Sequence, residues 1–313
     1  MALRALFFGT PAFSVPCLDA LASIAEVVGV VCQPDKPVGR GLTLTAPPVK
    51  QRATELGLPV VQPTKLRTGE FAEWVRAQRA DVAVVIAYGR ILPQDVLDGP
   101  RLGCVNAHAS LLPKLRGAAP ITWAVVRGER ESGVTLMKMD AGTDTGAMLA
   151  KWAIPIGDDE TAGELSERLS ALGARAVEEG LPKYVAGGLT AEAQDESLAT
   201  MAPMLKKDDG AIDFTKSAKA VHDHVRGMSP WPGAFTRLQG KVVKVHVTAR
   251  TTVTTPDGAT PGEVVLADKA RVVVACGERE AIDLVRVQLE GRKAIAAGEW
   301  VMGRGVKRGD RLG

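Results

Sequence analysis

Asn106 and His108 stand two residues apart at the end of a short apolar run, in the stretch Gly103 to Gly117, which reads GCVNAHASLLPKLRG. In a strand, side chains two residues apart point to the same side, so the amide and the imidazole would be presented together. Past His108 come Ser110, Leu111, Leu112, Pro113 and Lys114, and then Arg116-Gly117, which is turn and loop chemistry. Asp144 follows a second apolar pattern, Gly133 to Met139, in a loop able to carry it beside the first strand. An Asn amide can donate to a developing oxyanion, a His can shuttle a proton, and a carboxylate can orient and hold the imidazolium. Such a set suits acyl transfer through a tetrahedral intermediate.

Blander readings of the same residues stand beside this one. A single His at a strand end is often a hydrogen-bonded structural residue, and Asp144 between Gly142 and Gly146 can simply shape a turn. Metal binding is disfavoured, because one His and one Asp without neighbouring His or Cys are too few ligands. Ser110 lacks the G-x-S-x-G elbow of a nucleophilic serine.

The elements needed to position these groups read as alternating strands and helices. Strands are expected at Arg4 to Phe8, Val27 to Cys32, Val60-Val61 and Val82 to Ala87, with helices from about Ser14, at Gln51 to Leu56 and at Glu70 to Gln78. Near-continuous aliphatic strands in βαβ alternation imply a Rossmann-like, mostly parallel sheet with helices on both faces, an α/β fold. Tyr88, Gly89, Ile91 and Leu92 leave one central strand beside the strand carrying Asn106 and His108. The Gly9-Thr10-Pro11 turn lacks the further glycines of a dinucleotide site. Beyond the chemical stretch, Ala119 to Arg127 reads as a helix, Ala150 to Ile156 as a strand, and Thr161 to Ala186 as a long helix opened by a Thr161/Glu164 capping box. Met137 and Met139 alternate on a strand and read as core.

Length suits two domains: at 313 residues the chain divides into 1–186, a polar linker at 187–207, and 208–313. The last part holds a helix at Ala218 to Arg226 and five or six short strand patterns, as in an OB-like small β-barrel. Residues 209–313 carry 17 basic against 12 acidic side chains, a surplus that suits a polyanionic partner as well as ordinary surface charge. Gln33 to Lys50 is a long connection with four prolines and two glycines, in which Arg40 is the side chain best able to grip an anion. Trp231, between Pro230 and Pro232, reads as packing the domain junction, and His222 and His224 lie on the late helix without an evident ligand partner. Cys17, Cys32, Cys104 and Cys276 have no metal-ligand spacing and read as buried, reduced thiols. The apolar runs are too short to span a membrane and the N-terminus reads as a first strand, so a cytoplasmic protein is expected.

These residues carry a resemblance. Asn106-x-His108, then Ser110-Leu111-Leu112-Pro113-x-x-Arg116-Gly117, then Asp140-x-Gly142-x-Asp144-x-Gly146 closely resemble the folate-dependent formyltransferase family. The Gly9-Thr10-Pro11 opening, Gln33-Pro34-Asp35, Gly39-Arg40-Gly41, Ala87-Tyr88-Gly89 and Pro230-Trp231-Pro232 are similar to members acting on charged tRNA. The resemblance implies transfer of formyl from 10-formyltetrahydrofolate to the α-amine of initiator methionyl-tRNA, with no metal, by a monomer. It implies that Asn106 and His108 stabilise the oxyanion and that Asp144 holds His108 and an ordered water. It further implies that Ser110 to Pro113 and the backbone near Tyr88 to Leu92 bind folate, and that Arg40 positions the tRNA acceptor end. A formyltransferase acting on a sugar nucleotide and a hydrolase releasing formate are the enzymatic alternatives. A non-catalytic RNA-binding module is the alternative of another class.

Overall fold

The computed structural model describes residues 3–39 and 41–313. The chain forms two units, one of residues 1–120, 131–154 and 166–203, the other of 121–130, 155–165 and 204–313. Arg40 therefore lies outside the described residues.

The first unit is built on a seven-stranded sheet. Its strands are β1 (Arg4–Gly9), β2 (Glu26–Val31), β5 (Val60–Val61), β6 (Val82–Ile86), β7 (Cys104–His108), β8 (Glu131–Lys138) and β9 (Met148–Pro155), in the order β5-β2-β1-β6-β7-β8-β9. Pairing is parallel from β5 through β7 and antiparallel between β7 and β8. This is the expected α/β architecture. The strand order reverses between β1 and β6, and in such sheets the crevice at the reversal, beyond the carboxyl ends, receives ligands. Every residue of β6 is buried, which is why its sequence is aliphatic throughout rather than alternating.

Helices α1 (Val15–Ile24), α2 (Pro48–Glu55), α3 (Glu70–Ala77), α4 (Gln94–Leu97), α5 (Pro120–Val126) and α6 (Ala162–Val185) follow along the chain. In α3, Glu70 and Glu73 occupy the first turn and Arg76 the last, as the helix dipole favours, while Phe71, Ala72 and Val75 are buried. They pack in a cluster with Leu6, Phe8, Val85 and Tyr88. Phe8 meets Tyr88 edge-on at 5.5 Å. Burial of a side chain such as Phe8 stabilises by about 2 to 3 kcal/mol. The expected capping box is present: Glu164 N–H donates to Thr161 Oγ1 at 3.2 Å and Thr161 N–H to Glu164 Oε2 at 2.9 Å.

Several elements differ from expectation. The long connection after β2 holds a two-stranded hairpin, β3 (Lys36–Val38) with β4 (Thr43–Thr45). Helix α2 begins at Pro48 rather than Gln51, since proline fits the first helical turn where the N–H would be unpaired. Residues 187–203, read as linker, belong to the first unit: Glu192 bridges Met148, and Met201 bridges Arg116.

The second unit holds α7 (Ala218–Gly227), strands β10 (Phe235–Leu238), β11 (Lys241–Arg250), β12 (Val264–Ala267), β13 (Val272–Ala275), β14 (Ala281–Leu289) and β15 (Ala294–Ala296), and α8 (Ala297–Met302). The antiparallel order is β10-β11-β14-β13-β12, with β15 on β14, a curled half-barrel consistent with the OB-like domain expected. Val221, Val225 and Met228 of α7 pack into one core with Val243, Val245, Val274, Leu284 and Trp300. Ser217 caps α7 by accepting from Ala220 N–H at 3.3 Å. Trp231, expected to be packed, is 53 % exposed.

No helix among the described residues is long and apolar enough to cross a membrane. All four cysteines are buried. Burial pushes the thiols of Cys17, Cys104 and Cys276 up to about 12 and that of Cys32 to about 11. A thiol reagent at pH 8 is therefore expected to leave the native protein unlabelled and to label four groups after unfolding in denaturant. Fast labelling before unfolding would contradict the buried, protonated assignment.

Candidate active site

Cys104, Asn106 and His108 share one face of β7, which pairs with β6 over Cys104 to Asn106 on one side and with β8 over Val105 to His108 on the other. His108 is 6 % exposed. Its Nε2 lies 3.0 Å from the carbonyl oxygen of Leu115, an acceptor, so Nε2 carries the donated hydrogen. The other ring nitrogen, Nδ1, faces Asp144 Oδ2 at 3.6 Å. Asn106 Nδ2 donates to Asp144 Oδ1 over a long 3.4 Å. The backbone N–H of Gly117 donates to Asp144 Oδ2 at 2.8 Å. The three side chains singled out in the sequence come together, on one strand end and one loop.

Local chemistry shapes the loop. Asp140 Oδ1 accepts from Gly142 N–H at 3.0 Å and from Thr145 Oγ1 at 2.8 Å. Asp144 itself sits at φ 55°, the left-handed region that Asp tolerates better than most side chains. A Cβ at Gly146 would collide with the Lys138 carbonyl oxygen, so the loop closes on a glycine. Strained backbone at a strand end is where binding and catalytic groups are commonly held, and Ala87 at φ 46° and Leu115 at φ 61° share that character.

The segment after His108 turns its side chains inward. Ser110, Leu112 and Pro113 are buried, and Leu112 packs with Met137 and Met148. Ser110 Oγ donates to Lys114 O at 2.7 Å, while Thr135 Oγ1 donates to Ser110 O at 2.7 Å and accepts from Leu112 N–H at 3.1 Å. Leu111 is half-buried against Gly133.

At the end of β6, Tyr88 and Leu92 are buried while Ile91 is 71 % exposed. Gly89 has φ 79° and a Cβ there would come within 2.6 Å of Gln33 Nε2. That amide donates to Tyr88 O at 3.0 Å and Gly89 O at 3.2 Å; Thr10 Oγ1 also donates to Tyr88 O at 3.0 Å, and Ser14 Oγ to Ile86 O at 2.7 Å. These four bonds fix the exit of β6 against the ends of β1 and β2. A depression of about 410 Å³ opens here, with Arg67, Ile91, Leu92, Pro93 and Ala141 on its walls. Burial raises the Tyr88 hydroxyl above its ordinary pKa, and Arg90 opposes that.

Sequence reasoning missed the support beneath the site. Arg116 is 4 % exposed, and its guanidinium forks onto Glu196 at 2.9 and 2.8 Å while Nε donates to Gln194 Oε1 at 3.0 Å. Nearly eighty positions separate these partners, so no spacing rule joins them. The only signal was an arginine placed just before the glycine of a reactive turn. Hydrogen bonding from Arg116 holds the Glu196 carboxyl below its ordinary 4.5, with burial working against it. A carboxyl lowered in the folded state stabilises fully above its unfolded value, and that contribution is lost as pH falls through the folded one. The stability difference between wild type and Glu196→Gln, measured by urea unfolding, is accordingly expected to persist from neutrality to about pH 5 and to shrink below 4.5. A difference unchanged down to pH 3 would refute this.

His222, also 3 % exposed, bonds Thr248 Oγ1 at 2.9 Å and faces Asp159 at 3.1 Å, a structural role. No group of three His, Cys, Asp or Glu among the described residues is arranged to hold a metal ion.

A strand-end amide, imidazole and carboxylate stand together at the carboxyl end of β7, one strand beyond the reversal point of the sheet, an arrangement that suits group transfer. A family model described as formyl transferase matches residues 3–181, and one described as formyl transferase, C-terminal domain, matches 204–305. The chain belongs to the formyl transferase family. Within it, the chain is 58 % identical over 311 residues to methionyl-tRNA formyltransferase of Sorangium cellulosum (strain So ce56), covering 99 % of this chain and all of that one. Among solved structures, an N-formyltransferase from Helicobacter canadensis in complex with folinic acid and dTDP-3-aminofucose has TM-score 0.69 at 16 % identity, covering 91 % of this chain and 99 % of its own. HypX from Aquifex aeolicus in complex with tetrahydrofolic acid has TM-score 0.61 at 18 % identity; 98 % of this chain spans 48 % of that one, about half its length. At such identities these two structures speak to the fold alone.

Proposed function

We propose that this protein transfers the formyl group of 10-formyltetrahydrofolate to the α-amine of methionine on initiator methionyl-tRNA, yielding N-formylmethionyl-tRNA for translation initiation. The convergence of Asn106, His108 and Asp144 at the carboxyl end of β7 carries this reading. The near full-length identity to methionyl-tRNA formyltransferase selects the acceptor.

The reaction exchanges one C–N bond for another: the amine nitrogen bonds the formyl carbon, the bond from that carbon to N10 of the folate breaks, and a proton passes from the amine to N10. Negative charge grows on the formyl oxygen as the amine attacks. The Asn106 amide has a second N–H beyond its long bond to Asp144, and donates to that oxygen. His108 takes the amine proton at Nδ1, the nitrogen that Leu115 does not engage, and the Asp144 carboxylate holds the imidazolium that results.

For the folate, the backbone of Tyr88 to Leu92 offers fixed hydrogen-bonding groups, and exposed Ile91 offers an apolar edge for a flat ring. Ser110, Leu111, Leu112 and Pro113 form the firm wall on the other side. For the RNA, residues 208–313 act as the binding part and 1–186 as the catalytic part, with 187–203 fixed to the latter. Arg237, Lys244 and Arg286 are exposed on β10, β11 and β14, where they suit phosphate contacts whose strength falls with salt. Arg40 positions the acceptor end. The enzyme acts as a monomer in the cytoplasm, where its RNA substrate is charged.

The test supplies 10-formyltetrahydrofolate with either charged initiator tRNA or a nucleotide-linked amino sugar and scores which amine is formylated. Formylated methionyl-tRNA is expected, with the sugar untouched. Formylation of the sugar alone would overturn the reading.

A further inference from the structure

The strand-end site rests on a stretch that the sequence marks only as a polar connector. Gln194 is half-buried there, and its single amide head meets three partners. Its Oε1 accepts from Arg116 Nε at 3.0 Å, and its Nε2 donates to the carbonyl oxygens of both Asp144 and Gly146, at 2.8 Å each. Gln194 thus grips the main chain on either side of Thr145, where the loop holds Asp144 in its left-handed conformation. No other side chain type of this size supplies an acceptor and two donors from one planar head except Gln's shorter homologue Asn.

Arg116 ties that grip to the other half of the site. Its neighbour Leu115 offers the carbonyl that accepts from His108 Nε2, and its neighbour Gly117 offers the N–H that binds Asp144 Oδ2. The same turn is laced to the connector by main-chain bonds: Arg116 N–H to Thr200 O at 2.8 Å and Ala202 N–H to Arg116 O at 2.6 Å. Leu115 N–H adds a bond to Thr200 Oγ1 at 2.9 Å. Glu196 satisfies the rest of the buried guanidinium. A chain of bonds therefore runs from the imidazole, through the Leu115 turn and Arg116, to Gln194 and back to the backbone of Asp144.

We propose that Gln194 and Arg116 are positioning residues for formyl transfer, setting the separation between the Asp144 carboxylate and the His108 ring. Neither touches the reacting atoms. The proposal rests on the assignment of Asn106, His108 and Asp144 to formyl transfer given above. Their action is through geometry: a misplacement of about 1 Å at reacting groups can lower a rate by about a hundredfold.

The experiment measures steady-state formylation of charged initiator tRNA by 10-formyltetrahydrofolate for wild type, Gln194→Ala, Gln194→Glu, Asp144→Asn and the double variant Gln194→Ala/Asp144→Asn. Gln194→Glu keeps an acceptor for Arg116 and nearly the same shape, but turns an oxygen toward the two carbonyls. Both Gln194 variants are expected to lose about 10- to 100-fold in kcat, with KM for either substrate within about twofold. The double variant is expected to be no slower than Asp144→Asn alone, within about twofold, because positioning a group that no longer works contributes nothing. Should Gln194→Ala fail to fold, Gln194→Glu and its double with Asp144→Asn carry the same comparison. Wild-type kcat in Gln194→Glu, or losses that multiply in the double variant, would overturn the positioning role while Asp144→Asn stays impaired. Full activity in Asp144→Asn would instead overturn the site assignment, and the inference with it.

Discussion

Replacing His108 with Asn or Ala is expected to lower kcat for formyl transfer by about 10³-fold, with binding of charged initiator tRNA in a filter assay unchanged within about twofold. The size follows from the role proposed for the ring, which is to take a proton at Nδ1 beside a carboxylate 3.6 Å away. No other imidazole in the first unit can substitute, since the described residues of that unit contain His108 alone of the four histidines. Alanine also leaves the Leu115 carbonyl without its 3.0 Å partner, so asparagine, which keeps a donor, separates chemistry from packing. Asp144→Asn is a cleaner second probe. An amide oxygen can still accept from Gly117 N–H, but the anion facing the imidazolium is gone. Single-turnover rates with saturating 10-formyltetrahydrofolate measure both. Near wild-type turnover in either variant would contradict the assigned roles.

The scaffold of that site was legible because its strands announce themselves. β6 is a short aliphatic run buried on both faces, and burial of that kind leaves a continuous apolar signature. The reversal point of the sheet then follows from topology. Elements held by few residues left no such signature. The β3–β4 hairpin has three residues a side, one of them proline, and exposed Thr43 to Thr45 bury nothing that a pattern could report. Helix α8 is six residues long, and what holds it is Trp300, 2 % exposed, in a core assembled from distant strands.

Within the site, Asn106 and His108 could be paired from spacing alone, since β7 fixes their common face. Asp144 could be placed only as far as a neighbouring loop. Its orientation depends on Gly117, Gln194 and Asp140, which belong to three different stretches of chain. Residues 187–203 read as a linker because they are polar and short of large apolar residues. They are nevertheless fixed to the first unit by hydrogen bonds from Glu192, Gln194, Thr200 and Ala202, a kind of cohesion that composition does not register. Trp231 misled in the opposite direction: aromatic size suggested packing, while the side chain, between Pro230 and Pro232, is more than half exposed.

Gly117→Ala is expected to cost stability and activity together, and it isolates how the connector and the site depend on each other. Gly117 has φ 117°, a conformation nearly closed to residues with a Cβ. A Cβ there would lie 2.7 Å from the carbonyl oxygen of Ala202 and 3.3 Å from its carbon. Ala202 is fully buried, and the obstacle is backbone, so relief requires the 200–202 segment to move. That segment holds the Arg116 turn through bonds of 2.6 and 2.8 Å, and Gly117 N–H is itself the 2.8 Å donor to Asp144 Oδ2. Strain and a backbone clash together are expected to remove about 2 to 4 kcal/mol in urea unfolding. Displacing the donor to Asp144 is expected to cut kcat at least about tenfold in the protein that remains folded. Gly57→Ala serves as the comparison, with φ 67° and nothing within 4 Å of the added carbon, far along the chain from the site. It carries conformational strain alone, so a loss of about 1 kcal/mol with unchanged kcat is expected there. If Gly117→Ala behaves like Gly57→Ala, the contact between the Gly117 turn and the Ala202 segment does not govern the geometry of Asp144.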